Sequence, residues 1–207
     1  MEQGVIILLH HRSIHPKILY YGTPVLLLTT LNEDGSTNIS PLSSSWALDH
    51  YIVLGIATQG KAYENLKRCG ECVINLPDSS LWKNIESLAP YTGKQPVPEI
   101  KQKLGFRYCK DKFKVSGLTP QCSTILRPVR IRECPLQIEA RVLNIRIFSD
   151  DGHLALVETE QIQVHASQEI LTEEEYIDPA SWKPLIYNFR HYFGLGEPLG
   201  KSFRAER

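Results

Sequence analysis

The sequence predicts a mainly β protein: an antiparallel barrel, closed or partly closed, with peripheral helices covering its openings. Three observations predict it. At least six segments of strand length carry continuous apolar runs or period-two alternation, short turns join neighbours, and only two short helical patterns interrupt them near mid-chain. The strands do not alternate with full-length helices and no GxGxxG follows a strand, which excludes a doubly wound nucleotide fold.

Residues 1–23 read as an irregular or partly helical lead-in ending at Gly22-Thr23-Pro24. Its apolar stretch GVIILL has no positive charge before it and is too short for a signal sequence or a membrane span. PVLLLTTL has the length and composition of a strand buried on both faces. Asp34 and Gly35 supply hairpin turn chemistry, so TNISPLSSSWAL is expected to return as one antiparallel partner, followed by YIVLGIA as a third strand of a meander. Ala62, Leu66 and Cys69 then share one face of a short helix, with Gly70 as its stop and Lys61, Asn65 and Arg68 on the opposite stripe. CVINLP is a fourth strand, closed by Pro77, and SSLWKNIESLA a second helix opened by a serine cap.

Residues 90–128, rich in Pro, Gly and Lys, read as a long surface excursion, a kind of segment that is usually functional. LQIEARVLNIRIFS alternates at period two with one slip near Leu143; Asp150-Asp151-Gly152-His153 is a hairpin turn, and LALVETEQIQVHA returns. The C-terminal segment is expected to be helical around Pro184 to Tyr192.

At 207 residues one domain is expected over the whole chain, with 1–15 as lead-in and 168–207 as a C-terminal extension. Basic and acidic side chains balance at 23 each with no basic block, so neither nucleic acid nor membrane is an expected partner. Five cysteines form an odd set without a disulfide pattern, which fits a cytoplasmic protein. Cys69 and Cys72 are spaced as CxxC, but Cys69 closes a helix and Cys72 opens a strand, the reverse of a thioredoxin-like pair, and no second pair completes a zinc site. No metal is expected.

The chemistry lies in NISPLSSSWALD. Buried hydroxyls without partners cost roughly 1 to 3 kcal/mol each, so this row faces either water or a polar ligand. Asn38 and Ser40 share one face and Ile39 the other; Pro41 cannot donate to a ladder and marks an edge, bend or bulge. Beyond it Ser43, Ser44 and Ser45 form a row of hydroxyls beside Trp46. The helix after Gly60 offers unpaired amides and a positive dipole end, and Thr58, Lys61 and Asn65 add hydroxyl, charge and amide suited to a phosphate. An ordinary amphipathic surface helix is the competing reading.

Together, GTPVLLLTTLNEDGSTNISPLSSSWALDHYIVLGI, KAYENLKRCGECVINLP, DKFKVSGLTP and RECPLQIEARV resemble the flavin reductase-like family of FMN-binding split barrels, from about Pro16 to His165. The resemblance implies a homodimer of Greek-key split barrels with non-covalent FMN near the dimer interface. It implies that Asn38, Ile39, Ser40 and Pro41 meet the pyrimidine edge of the flavin, that Ser43, Ser44 and Ser45 line the ring and ribityl chain beside Trp46, and that Thr58, Lys61 and Asn65 hold the phosphate. It also implies hydride transfer from NADH or NADPH to FMN, with His165 as the substrate-side residue. An FMN electron carrier fed by a protein partner, without a nicotinamide site, and a split barrel that has lost its flavin are the alternatives.

Overall fold

The computed structural model describes residues 10–173 and 176–203; the GVIILL stretch lies outside them. Strand β1 (Tyr21–Pro24) leads into β2 (Leu26–Leu31), whose Leu26 and Leu28 enter one core while Leu27, with Val25 just before the strand, enters another. Both faces of β2 are covered, which is why its sequence is a continuous apolar run. A turn with Gly35 at φ 79° returns the chain as β3 (Thr37–Leu42).

Here the chain departs from the expected single return strand. β3 ends at Leu42, and β4 (Ser45–Leu48) begins after Ser43 and Ser44 and forms a hairpin with β5 (Tyr51–Ala57). Helix α1 (Lys61–Cys69) stops where Gly70 turns left-handed at φ 66°, and β6 (Glu71–Leu76) follows. Helix α2 (Trp82–Leu88) is preceded by a 3-10 turn capped by Asp78, whose carboxylate accepts from the Ser80 amide; the expected serine cap is displaced by this stronger acceptor. The 90–128 excursion holds short helices α3 (Glu99–Lys103) and α4 (Lys112–Ser116) and strand β7 (Pro120–Gln121), which pairs with β8 (Arg130–Ile131).

The long hairpin β9 (Leu136–Ile147) and β10 (Leu154–Ala166) completes the main sheet. Glu158 pairs with Asn144 and Thr159 with Val142, so Leu143 is the extra residue of a β-bulge where the sequence alternation slips. The expected C-terminal helix is instead a hairpin of β11 (Ile186–Asn188) and β12 (His191–Phe193). Its aromatic residues pair across the strands, Tyr187 opposite Tyr192, and β1 adds to β11; this pairing outweighs the helical reading of Pro184 to Tyr192.

Seven strands form one antiparallel sheet in the order β3-β2-β6-β9-β10-β5-β4. β3 and β4 sit at its opposite edges, yet only Ser43 and Ser44 separate them along the chain. Leu42 and Ser45 are three residue steps apart and can lie at most about 11 Å from each other, so the sheet must curl until its edges meet, giving a barrel split at that seam. Leu28, Leu54, Ile74, Ala140 and Val157 fill its interior with Leu66 of α1. A second core of Leu27, Ile39, Ile85, Leu88 and Leu118 lies outside the barrel under α2 and α4. Among the described residues no helix is long and apolar enough to cross a membrane.

Candidate functional site

The seam is also where a cavity of about 990 Å³ opens. Pro41, Leu42, Ser43, Ser44, Ser45 and Trp46 form one wall; Val53, Gly55, Ile56 and Ala57 of β5 form the floor. Gly55 is required there. Its amide donates to the Ser44 carbonyl at 2.7 Å, and a Cβ on it would meet the Ser44 Cβ at 3.0 Å. Pro41 is tolerated because β3 is an edge strand, and the ladder to β2 runs through it opposite Leu27.

The opposite wall is aromatic. Tyr20 and Tyr187 stack edge to face at 5.5 Å, Tyr187 and Tyr192 lie 5.5 Å apart, and Ser44 donates to the Tyr20 hydroxyl at 3.2 Å. Tyr192 donates to the Glu86 carboxylate at 3.0 Å. Burial raises both Tyr187 and Tyr192, the latter further through Glu86, so both phenols stay protonated donors at neutral pH. Phe106 and Phe148 reach the cavity from the excursion and from the end of β9, and Trp46, 58% exposed, stands at its rim.

Of the residues singled out from the sequence, Pro41, Ser43, Ser44, Ser45 and Trp46 come together here; the others do not line the cavity. Asn38 is buried and donates to Ser40 at 3.0 Å, while the Ile39 side chain belongs to the second core. Thr58 donates to the Gly152 carbonyl at 2.9 Å, fastening β5 to the β9–β10 turn. Lys61 pairs with both oxygens of Glu33 at 2.8 Å and with Glu64 at 3.4 Å.

Two placements correct the sequence reading. Asn65 is fully buried rather than on a solvent stripe, because its amide holds α1 to the β2–β3 hairpin through Thr30 Oγ1 at 3.1 Å and Asn32 Oδ1 at 2.9 Å. His165 sits away from the cavity, 2.7 Å from Glu139 Oε1 and 3.4 Å from Thr124 Oγ1. Burial alone would raise the Glu139 carboxyl, but the amides of Thr124, Leu126 and Ile125 together with His165 hold it at about 2. This carboxylate therefore nails the 124–126 segment to the sheet, and His165 serves it.

Sequence reasoning missed Lys112. It is 5% exposed, and its ammonium donates to Asn38 Oδ1 and to the Ile39 carbonyl, both at 2.8 Å. It thus satisfies the outward edge of β3 with a cation whose acceptors among the described residues are both neutral, and burial lowers its pKa to about 8. The aromatic wall was legible only in part: Tyr187, Phe189 and Phe193 mark a strand-forming stretch, which the residue spacing disguised as a helix.

A profile of the flavin reductase like domain matches residues 18–196. The Bacillus subtilis (strain 168) protein called uncharacterized protein YdfE is 55% identical over 195 residues, 94% of each chain. Among solved structures, flavoredoxin of Desulfovibrio vulgaris (Miyazaki F) superposes with a TM-score of 0.78 at 21% identity, covering 96% of this chain and 100% of its own. Nitrilotriacetate monooxygenase component B from Bacillus cereus superposes with a TM-score of 0.70 at 16% identity, covering 90% of this chain and 89% of its own.

Proposed function

From the premise that this chain belongs to the flavin reductase-like family, we propose that it is an FMN-binding oxidoreductase that takes electrons from NADH or NADPH. One observation carries the reading: the hydroxyl row and Trp46 form a wall of a single cavity of about 990 Å³. That volume lies at the upper end of ordinary ligand pockets, and its mixture of aromatic faces with a few hydroxyls suits a tricyclic ring with a polyol tail. When bound, FMN supplies the redox chemistry, accepting a hydride from NAD(P)H, which leaves as NAD(P)⁺, and passing two electrons to an acceptor.

The protein's part is to bind, orient and keep out water. Ser43, Ser44 and Ser45 hold the ring edge and ribityl chain, and the backbone from Asn38 to Pro41 is assigned to the pyrimidine edge. Thr58 and Lys61 are assigned to the phosphate end, just beyond the Ala57 floor. The Glu33 partner of Lys61 is 61% exposed, and such surface pairs are worth at most about 1 kcal/mol, so a phosphate can take the ammonium at little cost. Asn65 is assigned to holding α1 in place, and His165 to the Glu139 anchor rather than to substrate. Exposed Trp46 and Leu48 on the edge strand β4, with Tyr51 at the start of β5 and Phe148 and Leu154 nearby, support pairing with a second copy.

The purified protein is expected to be yellow and to release free flavin on denaturation. Anaerobic mixing with NADH or NADPH then bleaches it on a catalytic timescale. A tightly bound flavin that neither nucleotide bleaches identifies an electron carrier instead; a colourless protein that binds no added FMN refutes the reading.

A further inference from the structure

A second cavity of about 600 Å³ lies between α2 and the β11–β12 hairpin. Trp82, His191 and Phe193 line it, and it shares Glu86, Arg190 and Tyr192 with the cavity at the seam. Each chamber is thus walled by aromatic rings, and the partition between them carries a cation. The partition carries one carboxylate, Glu86, and one guanidinium, Arg190, and the Lys83 ammonium close by tips the balance toward an anion. Glu86 is engaged by the Tyr192 hydroxyl at 3.0 Å, whereas among the described residues no carboxylate pairs with Arg190. Arg190 and Phe189 form the hairpin turn with φ of 70° and 43°, a left-handed conformation that costs about 1 to 2 kcal/mol per non-glycine residue. The fold keeps that strained turn, and with it the guanidinium at the partition. A second cation stands close by: Lys83 Nζ lies 5.6 Å from the centre of the Trp82 ring, and that ring and Tyr192 lie 6.3 Å apart.

Two ring-lined chambers on either side of a cation match a ligand with two rings joined by a pyrophosphate. We infer that the second cavity holds the adenosine diphosphate half of NADH or NADPH, its base against Trp82 and Phe193 and its phosphates on Arg190, with the nicotinamide ring in the first cavity. This rests on the reading above that a nicotinamide nucleotide is the electron donor. A guanidinium that forks onto phosphate oxygens contributes both energy and geometry, which a glutamine does not replace.

The test uses the FMN-loaded protein with ADP as a probe in calorimetry, and compares flavin bleaching by NADH with bleaching by 1-benzyl-1,4-dihydronicotinamide, which has the nicotinamide ring but neither phosphate nor adenine. The loaded protein is expected to bind ADP, with affinity falling about tenfold or more in Arg190→Gln and in Trp82→Ala, and less in Arg190→Lys. In the first two variants kcat/KM for NADH is expected to fall about tenfold further than kcat/KM for the benzyl compound. If ADP does not bind, or if both donors lose equally, the inference is overturned while NADH bleaching keeps the oxidoreductase reading intact. If the benzyl compound bleaches the flavin and neither NADH nor NADPH does, both readings fall.

Discussion

Lys112 gives the sharpest stability prediction. Its ammonium is buried against Asn38 Oδ1 and the Ile39 carbonyl with no carboxylate in contact among the described residues, and its pKa falls from 10.5 to about 8. Unfolding restores the ordinary value, so between pH 8 and 10.5 the unfolded chain binds the proton that the folded chain has released. Stability then rises with pH across that window. The full shift of about 2.5 units corresponds to about 3 kcal/mol at 1.36 kcal/mol per unit, of which about 2 kcal/mol falls between pH 7.5 and 10. Replacing Lys112→Met removes the titration. It also leaves two β3 acceptors unsatisfied, a cost that does not change with pH over this range. Urea unfolding of both proteins from pH 7.5 to 10 therefore isolates Lys112 together with Cys109 and Lys101, which couple to it, because the remaining tyrosines, lysines and cysteines titrate alike in each. The difference in unfolding free energy, wild type minus variant, is expected to climb by about 2 kcal/mol toward pH 10. A flat difference, or one that falls, refutes the assignment of Lys112 as a desolvated cation without a counter-ion.

Other tests address the seam, the anchor and the phosphate end. Gly55→Ala drives a methyl group against Ser44, and is expected to lower the unfolding free energy by about 1 to 3 kcal/mol and to weaken FMN in a fluorescence titration; unchanged values for both disprove the close packing of seam and floor. Glu139→Gln should destabilise the protein at neutral pH. Because the Glu139 carboxyl is held at about 2 against a usual 4.5, the wild type loses its contribution as pH falls through that interval, and the variant should show a shallower acid unfolding curve there. Lys61→Ala should weaken FMN about tenfold more than riboflavin, and equal weakening removes Lys61 from the phosphate end. Asn65→Ala, by contrast, should cost about 1 to 3 kcal/mol of stability in chemical denaturation, since it strips a buried amide from Thr30 and Asn32.

Much of the barrel could be read from the chain because local patterns agreed with tertiary context. Gly70 stopped α1 where expected, and the broken alternation at Leu143 was a real bulge. The hydroxyl row was recognisable because polar residues in a strand need a destination, and the structure gives Ser43, Ser44 and Ser45 a cavity. What stayed hidden depended on long-range pairing. Nothing near Ser43 says that the strand before it belongs to one edge of the sheet and the strand after it to the other. Asn65 looked solvent-facing by helical spacing, because the polar pocket of Thr30 and Asn32 that receives it comes from a hairpin more than 30 residues earlier. Lys112 lay in a stretch without periodicity, and a lysine there reads as surface until β3 proves to be an edge needing a donor. The C-terminal hairpin turns on Phe189 and Arg190, residues that do not announce a left-handed turn as Asn-Gly would.

The link of Ser43 and Ser44 between opposite edges of the sheet makes the barrel a loop closed by a clasp. Whatever fills the cavity at that clasp touches both edges, so opening the seam and emptying the cavity are coupled as one equilibrium. Ligand occupancy then stabilises the closed barrel by RT ln(1 + [L]/Kd), about 2.7 kcal/mol at a hundredfold excess over Kd. In amide exchange that gain should concentrate along β3, β4 and β5 rather than spread evenly, which makes the strand borders a readout of how full the cavity is.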